Sequence, residues 1–386
     1  MKYFCVYDII ESGICPVLFF VWCIRRDRLK NLKLAAVCLS CLTMTGCSAL
    51  NFSVEGLINA PKLTSEQSEI HQALIESVGS NITLKYPKNG EYRSAYVIAN
   101  IDDEPTDEAM VFYEYTSNGS EEDGLRVNIL DKDEKGKWYS VKELAGAGTD
   151  IDQVIISPMG SNNQTDVFVG YQNLTNDEKT MEIYSYTDGD FKRVALDTYS
   201  VLEPLDINND GYIELITIQR STNNDTGVVT AKASMLNMKN NEITRGENVD
   251  MCDNVTSYVS SKTGMLDSGR RAIFIDGLTA DGKLQTEIIY YRYSGLQNPM
   301  QLRSEKLLPL CTRPAGYYSE DMDGDGDVEI PSTSPMVGYE NAVADEMLYM
   351  TTWSVYEDFY DLKTKYTGYY ACLLYTSPSP RDGLLS

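Results

Sequence analysis

Hydrophobic residues recur at helical spacing in one stretch and at strand spacing in many places after it. In "TSEQSEIHQALIESVG", residues 64–79, Ile70, Leu74 and Val78 fall on one stripe of a helix. Thr64 stands at the N-cap with Gln67 three residues on, in capping-box order, and Gly79 closes the pattern. A helix is therefore predicted near Ser65–Val78. From residue 81 to 370 the chain turns to short runs of Val, Ile, Tyr and Thr broken by Asn, Asp and Gly. "AYVIANI", "AMVFYEY", "DVFVGYQ", "MEIYSYT", "ELITIQR", "RAIFIDG", "TEIIYYRY" and "MLYMTTWSVY" each predict a strand, and the Asp-Gly of "SYTDGDFKRV" predicts a tight hairpin turn. Many short strands at such spacing form a sandwich, a barrel or a propeller.

An acidic stretch ahead of a strand selects among these. It recurs in "NIDDEPTDEAMVFY", "MGSNNQTDVFVGY", "DINNDGYIELITI", "DGLTADGKLQTEIIYY" and "DMDGDGDVEI". Its marks are Glu108, Asp166, Glu214, Glu287 and Glu329, in steps of 58, 48, 73 and 42 residues. Those steps scatter around the roughly 40 to 50 residues of a four-stranded blade. On these residues the chain resembles the FG-GAP or VCBS type of β-propeller repeat, known from integrin heads and many bacterial surface proteins. The resemblance covers most of residues 95–330 and implies an all-β, propeller-like repeat domain preceded by one short α-helix.

Two of the stretches carry candidate chemistry. Calcium takes about six to eight oxygens at relaxed geometry, so carboxylates or amides at alternate positions, with a glycine to turn the chain, suit it. The first loop offers Asp206, Asn208 and Asp210, the carbonyl of Tyr212, and Glu214; the second offers Asp321, Asp323 and Asp325, the carbonyl of Asp327, and Glu329. An EF-hand would need a bidentate glutamate at position twelve and flanking helices. Here position twelve is Thr217 or Ser332, and strand-like sequence follows the first loop. In the FG-GAP pattern the last acidic ligand stands at position nine, where Glu214 and Glu329 lie, so the resemblance implies a structural calcium ion. A solvated acidic turn is the alternative. The echo at Asn100, Asp102, Glu104 and Glu108 has Pro105 in place of the glycine and is expected to keep the shape without the ion.

The ends of the chain are of another kind. "KNLKLAAVCLSCLTMTGC", residues 30–47, has a basic start, an apolar run of about a dozen residues and small residues before a cysteine. It resembles a bacterial lipoprotein signal of Gram-positive type, with Met44, Thr45 and Gly46 ahead of Cys47. The resemblance implies cleavage before Cys47 and a lipid on its sulfur. An ordinary secretory signal or a short membrane span is the alternative, although the run falls short of the roughly 20 residues a crossing helix needs. The segment before Lys30 makes the leader unusually long, as expected if the gene start is called too early. "CLLYTSPSPRD" resembles a translated sequencing adapter, so the natural chain is expected to be cut near Tyr370. The expected organisation is a signal with its extension over 1–46, a lipidated cysteine and tether over 47–63, a helix over 64–80, propeller-like repeats over 81–371 and adapter over 372–386.

A formal net charge of −24 repels nucleic acid, since no basic stripe interrupts it. The 27 tyrosines against 9 phenylalanines suit strands with one wet face. Of nine cysteines, Cys252 and Cys311 alone lie between Cys47 and the tail. They could pair outside the cell, where disulfides persist, or stand as buried thiols. The single histidine, His71, lies on the predicted helix, away from any serine-protease or zinc spacing. Among 57 acidic residues no pair stands out as a glycosidase dyad. The expectation is a non-enzymatic lipoprotein on the outer face of a bacterial cytoplasmic membrane, binding a glycan, a cell-wall component or a protein. The alternatives are a carbohydrate-active enzyme on the same scaffold and a purely structural surface protein.

Overall fold

The computed structural model describes residues 63–368 except 103, 117–123, 159–164, 174–177, 188–189, 223–228, 240–241, 344–346 and 358–360. The signal region, Cys47, the tether up to residue 62 and the tail lie outside them. The compact unit described below begins at Thr64.

Helix α1 (Ser65–Val78) forms where its pattern places it. The Thr64 hydroxyl accepts the Gln67 N–H at 3.1 Å, and the Gln67 side chain accepts the Thr64 N–H at 3.1 Å, so both halves of the capping box close. Ile70, Ala73 and Leu74 bury one stripe against the first sheet.

Five antiparallel sheets follow in chain order. The first holds β1 (Ile82–Leu84), β2 (Tyr96–Ala99), β3 (Glu108–Tyr115), β4 (Leu125–Lys132) and β5 (Trp138–Ala145), with β1 and β2 both paired to β3. The second runs β6 (Asp150–Pro158), β7 (Thr165–Gln172), β8 (Lys179–Thr187), β9 (Asp190–Tyr199). Thr187 pairs with Asp190 across a two-residue connection whose Asp-Gly lies outside the described residues. The third runs β10 (Val201–Leu205), β11 (Glu214–Thr222), β12 (Val229–Lys239), β13 (Glu242–Asp250). The fourth runs β14 (Val255–Met265), β15 (Arg271–Thr279), β16 (Lys283–Arg292), β17 (Gly295–Gln297), with β18 (Thr312–Pro314) also on β16. The fifth holds β19 (Ile330–Pro335), β20 (Tyr349–Glu357) and β21 (Asp361–Gly368), and a Glu320–Glu329 bridge supplies its first edge. Each sheet is built on an up-and-down meander, to which β1 in the first and β18 in the fourth are added, and the fold is all-β and β-propeller-like.

Strands β3, β7, β11 and β15 are buried on both faces, which is why they are so continuously apolar. In β3, Met110 and Phe112 face the second sheet while Ala109, Val111 and Tyr113 face α1. In β15, Ala272 and Phe274 face the fifth sheet while Ile273 and Ile275 face the third. The core is thus a series of clusters, each between one sheet and the next, with α1 covering the free face of the first.

One expectation is corrected. The repeat mark in the fourth sheet is not Glu287, which lies inside β16, but Arg271, which opens β15 as Glu108 opens β3 and Glu214 opens β11. Arg271 follows Glu214 by 57 residues and precedes Glu329 by 58, so the repeat is more regular than the acidic marks suggest. Two short helices, α2 (Pro299–Leu302) and α3 (Ser304–Cys311), add to the predicted one. Asn298 caps α2 by accepting the Met300 N–H at 3.1 Å, and Pro299 sits where its missing N–H costs nothing. Cys252 and Cys311 are buried free thiols within one core cluster.

Candidate functional site

Three of the acidic loops share one frame. The residue before each loop pairs with the glutamate that ends it: Ala99 with Glu108, Leu205 with Glu214, Glu320 with Glu329. Each buried glutamate accepts the N–H seven residues back, Ile101 at 2.8 Å, Ile207 at 3.1 Å and Met322 at 2.8 Å. Position nine therefore closes the loop upon itself. Burial pushes the Glu108 and Glu214 carboxyls up to about 7.

In the second candidate loop, Asp321 accepts the N–H groups of Gly324 and Gly326 at 2.7 and 2.9 Å, and Asp325 accepts that of Asp327 at 2.9 Å. Gly324 and Gly326 adopt positive φ, which fits their type. Asp321, Asp323 and Asp325 bring carboxylate oxygens within 4.8 Å of one another. The oxygens left over converge on one side chain from β21. The Lys365 ammonium lies 2.5 Å from Asp325 Oδ2, 2.8 Å from Glu329 Oε1 and 3.6 Å from Asp323 Oδ2. Burial works against that ammonium, but the hydrogen bonds to Asp325 and Glu329 outweigh it and raise its pKa. Tyr366 donates to Asp323, whose pKa is lowered chiefly by that bond.

The first candidate loop is braced in the same way. Asp206 accepts the N–H groups of Asp210 at 3.1 Å and Gly211 at 3.3 Å, and Asp210 accepts that of Tyr212 at 2.9 Å. The Asn208 amide donates to Glu214 at 2.9 Å and Asp210 at 3.0 Å. Arg271, at the position-nine place of the next sheet, lies 2.9 Å from Asp206 Oδ2. Hard oxygen donors at alternate positions fit calcium in kind in both loops. Both also hold a cationic side chain of the chain itself, which no spacing within either loop reveals. Position twelve, Thr217 or Ser332, lies in strand, unlike an EF-hand. The echo at Asn100 turns through its amide, which donates to the carbonyls of Glu104 and Thr106.

A second constellation was not foreseen. The first strands of the second, third and fourth sheets border a cleft of about 390 Å³, lined among others by Asp152, Lys179, Glu203, Tyr258 and Ser261. An adjoining cavity of about 300 Å³ shares Lys179, Ser200 and Tyr258 and adds Gln172, Asn173 and Arg220. Asp152 is buried and accepts from Lys179 at 2.9 Å, Tyr199 at 2.7 Å and Asn89 at 2.8 Å. Burial alone would raise its pKa, but Lys179 and these hydrogen bonds win and lower it. Glu203 takes a hydrogen bond from Ser261, and burial raises its pKa. The Tyr258 hydroxyl and the Arg220 Nε are buried without a hydrogen-bond partner among the described residues. Such groups are costly unless something binds them. His71 lies outside this cleft, its ring nitrogen 2.8 Å from the Tyr96 hydroxyl.

No family model matches the chain, and no curated protein matches it. Among solved structures, a rhamnogalacturonan lyase is 9% identical over 71% of this chain and 66% of its own, with a TM-score of 0.33. The periplasmic gluconolactonase of Pseudomonas aeruginosa is 9% identical over 74% of this chain and 88% of its own, with a TM-score of 0.27. Likeness this slight says nothing of what this chain does.

Proposed function

We propose that the chain is a lipid-anchored binding protein on the outer face of a bacterial cytoplasmic membrane. Its propeller-like domain, braced at one or two loops by calcium, holds a glycan, cell-wall component or protein segment. The observation that carries the binding role is the cleft with its two unsatisfied buried donors, Arg220 Nε and the Tyr258 hydroxyl. Both can donate, and hydroxyl-rich or carboxylated ligands supply the acceptors. The lipid anchor rests on the signal sequence ending at Cys47, and the calcium on the oxygen spacing of the two loops. The test is calorimetric titration of the full chain with solubilised cell-wall fragments and neutral oligosaccharides. Binding that is lost in Arg220→Gln and Tyr258→Phe supports the reading; binding unchanged in both variants removes the cleft from it.

A carbohydrate-active enzyme on the same scaffold is the second reading, favoured by Glu203, whose raised pKa suits a proton donor. Against it, the neighbouring Asp152 spends both oxygens on Lys179, Tyr199 and Asn89.

A further inference from the structure

The cleft and the cavity that adjoins it differ in charge balance. Across the cleft, Lys179 and Lys262 match Asp152 and Glu203 in formal charge. The cavity of about 300 Å³ keeps Lys179, whose charge is spent on Asp152 at 2.9 Å, and adds Arg220, while no acidic residue lines it. Arg220 stands near the end of β11, opposite Ala231 of β12, and is half-buried. Among the described residues its guanidinium has no ion pair and no hydrogen bond. With 57 acidic against 33 basic residues in the chain, an arginine left without a carboxylate runs against composition. The backbone of β14 singles out the same place. Its pairing with β15 slips twice, between Val255 and Ser257 and between Tyr258 and Ser260. Such bulges re-aim side chains, and here Ser257 and Tyr258, adjacent in sequence, both line the cavity. Burial raises the Tyr258 pKa, Glu287 adds to the rise and Arg220 opposes it, so the hydroxyl keeps its proton near the guanidinium. Ser200, Ser257, Gln172 and Asn173 bring hydroxyls and amides to the same wall.

Given the cleft as the binding site, we propose that the cavity at its Arg220 end takes the carboxylate of an acidic saccharide, whose hydroxyl-rich body lies in the cleft. A guanidinium matches a planar carboxylate in two-pronged fashion, and the one unbalanced charge of the site calls for one anion. A lining of hydroxyl, amide and charged groups suits a hydroxyl-rich ring better than a peptide with apolar side chains. The test is saturation-transfer NMR on the full chain, as wild type, Arg220→Gln and Arg220→Lys, with glucuronate, glucose and N-acetylalanine at equal ionic strength. Wild type is expected to bind glucuronate about tenfold or more tighter than glucose, and Arg220→Gln to bring glucuronate down to the level of glucose. Arg220→Lys, which keeps the charge and loses the fork, is expected to fall between them. Glucose bound as well as glucuronate, or a preference for glucuronate that survives Arg220→Gln, overturns the proposal. N-acetylalanine bound as tightly as glucuronate makes the ligand a peptide carboxylate and overturns the saccharide. Transfer to none of the three overturns it as well, and whether the cleft falls with it is read from the Tyr258→Phe titration with cell-wall fragments.

Discussion

Lys365 makes the calcium question measurable. Its ammonium neutralises Asp325 and Glu329, and the Glu329 side chain is 0% exposed. In Lys365→Gln the buried carboxylate keeps the Met322 N–H but loses its countercharge. The Asp325 contact is half in solvent and adds little. Losing the charge-assisted bond to Glu329 should therefore cost about 2–3 kcal/mol in a chelator, or about 3–5 °C in melting temperature for a domain of this size. Calcium at about 5 mM, binding with the roughly 0.1–1 mM affinity of extracellular modules, should return about 1–2 kcal/mol to the variant. Wild type should gain less, because the ion must first displace Lys365. The assay is thermal unfolding of both full chains in EDTA and in calcium. If the variant melts with wild type in EDTA, or if calcium raises wild type as much as the variant, the competition reasoning is wrong. If calcium raises neither, the loop is an acidic turn closed by a lysine.

Three further outcomes are expected. Glu108 has its folded pKa raised to about 7 by burial, with Asp102 and Asp131 adding to it, so its stabilising proton is fully present below about pH 4.5 and lost as pH rises through 7. Glu108→Gln should therefore match wild type at pH 5 and exceed it by about 1–3 kcal/mol at pH 8; an equal difference at both pH values would contradict this. Asp276→Ala strands the fully buried Arg313, which now lies 2.7 Å from Asp276, and should cost about 3–5 kcal/mol by urea unfolding, whereas Asp276→Leu combined with Arg313→Met should cost far less. Cys47→Ala should move the chain from the membrane fraction to the soluble fraction, and retention on the membrane would remove the lipid anchor.

What could be read from sequence follows burial. Strands such as β3, β7 and β15 are covered on both faces, so selection for apolar residues leaves unbroken runs that announce them. The first strand of the fourth sheet, β14, carries "VTSYVSSKTGM" and is mostly half-buried or exposed, since it borders the cleft. A wet inner strand has no hydrophobic signature, and the cleft was hidden with it. The repeat count slipped at the fourth sheet for a local reason. There the first two strands are joined by a short turn over residues 266–270, and the Asp-Gly turn before β16 drew the acidic mark to Glu287. Lys365 and Arg271 were illegible because their partners lie 36 or more residues away, within reach only once the sheets are stacked.

The serial arrangement of the clusters bears on how the molecule yields. Each sheet draws its apolar contacts from its immediate neighbours, so the energy of the whole approaches a sum over joints, as in a one-dimensional array. One joint can then open while the others hold, and amide exchange should divide the chain into segments with separate protection. Arg271 crosses the joint between the third and fourth sheets to Asp206, so that one ion pair braces a joint as well as a loop.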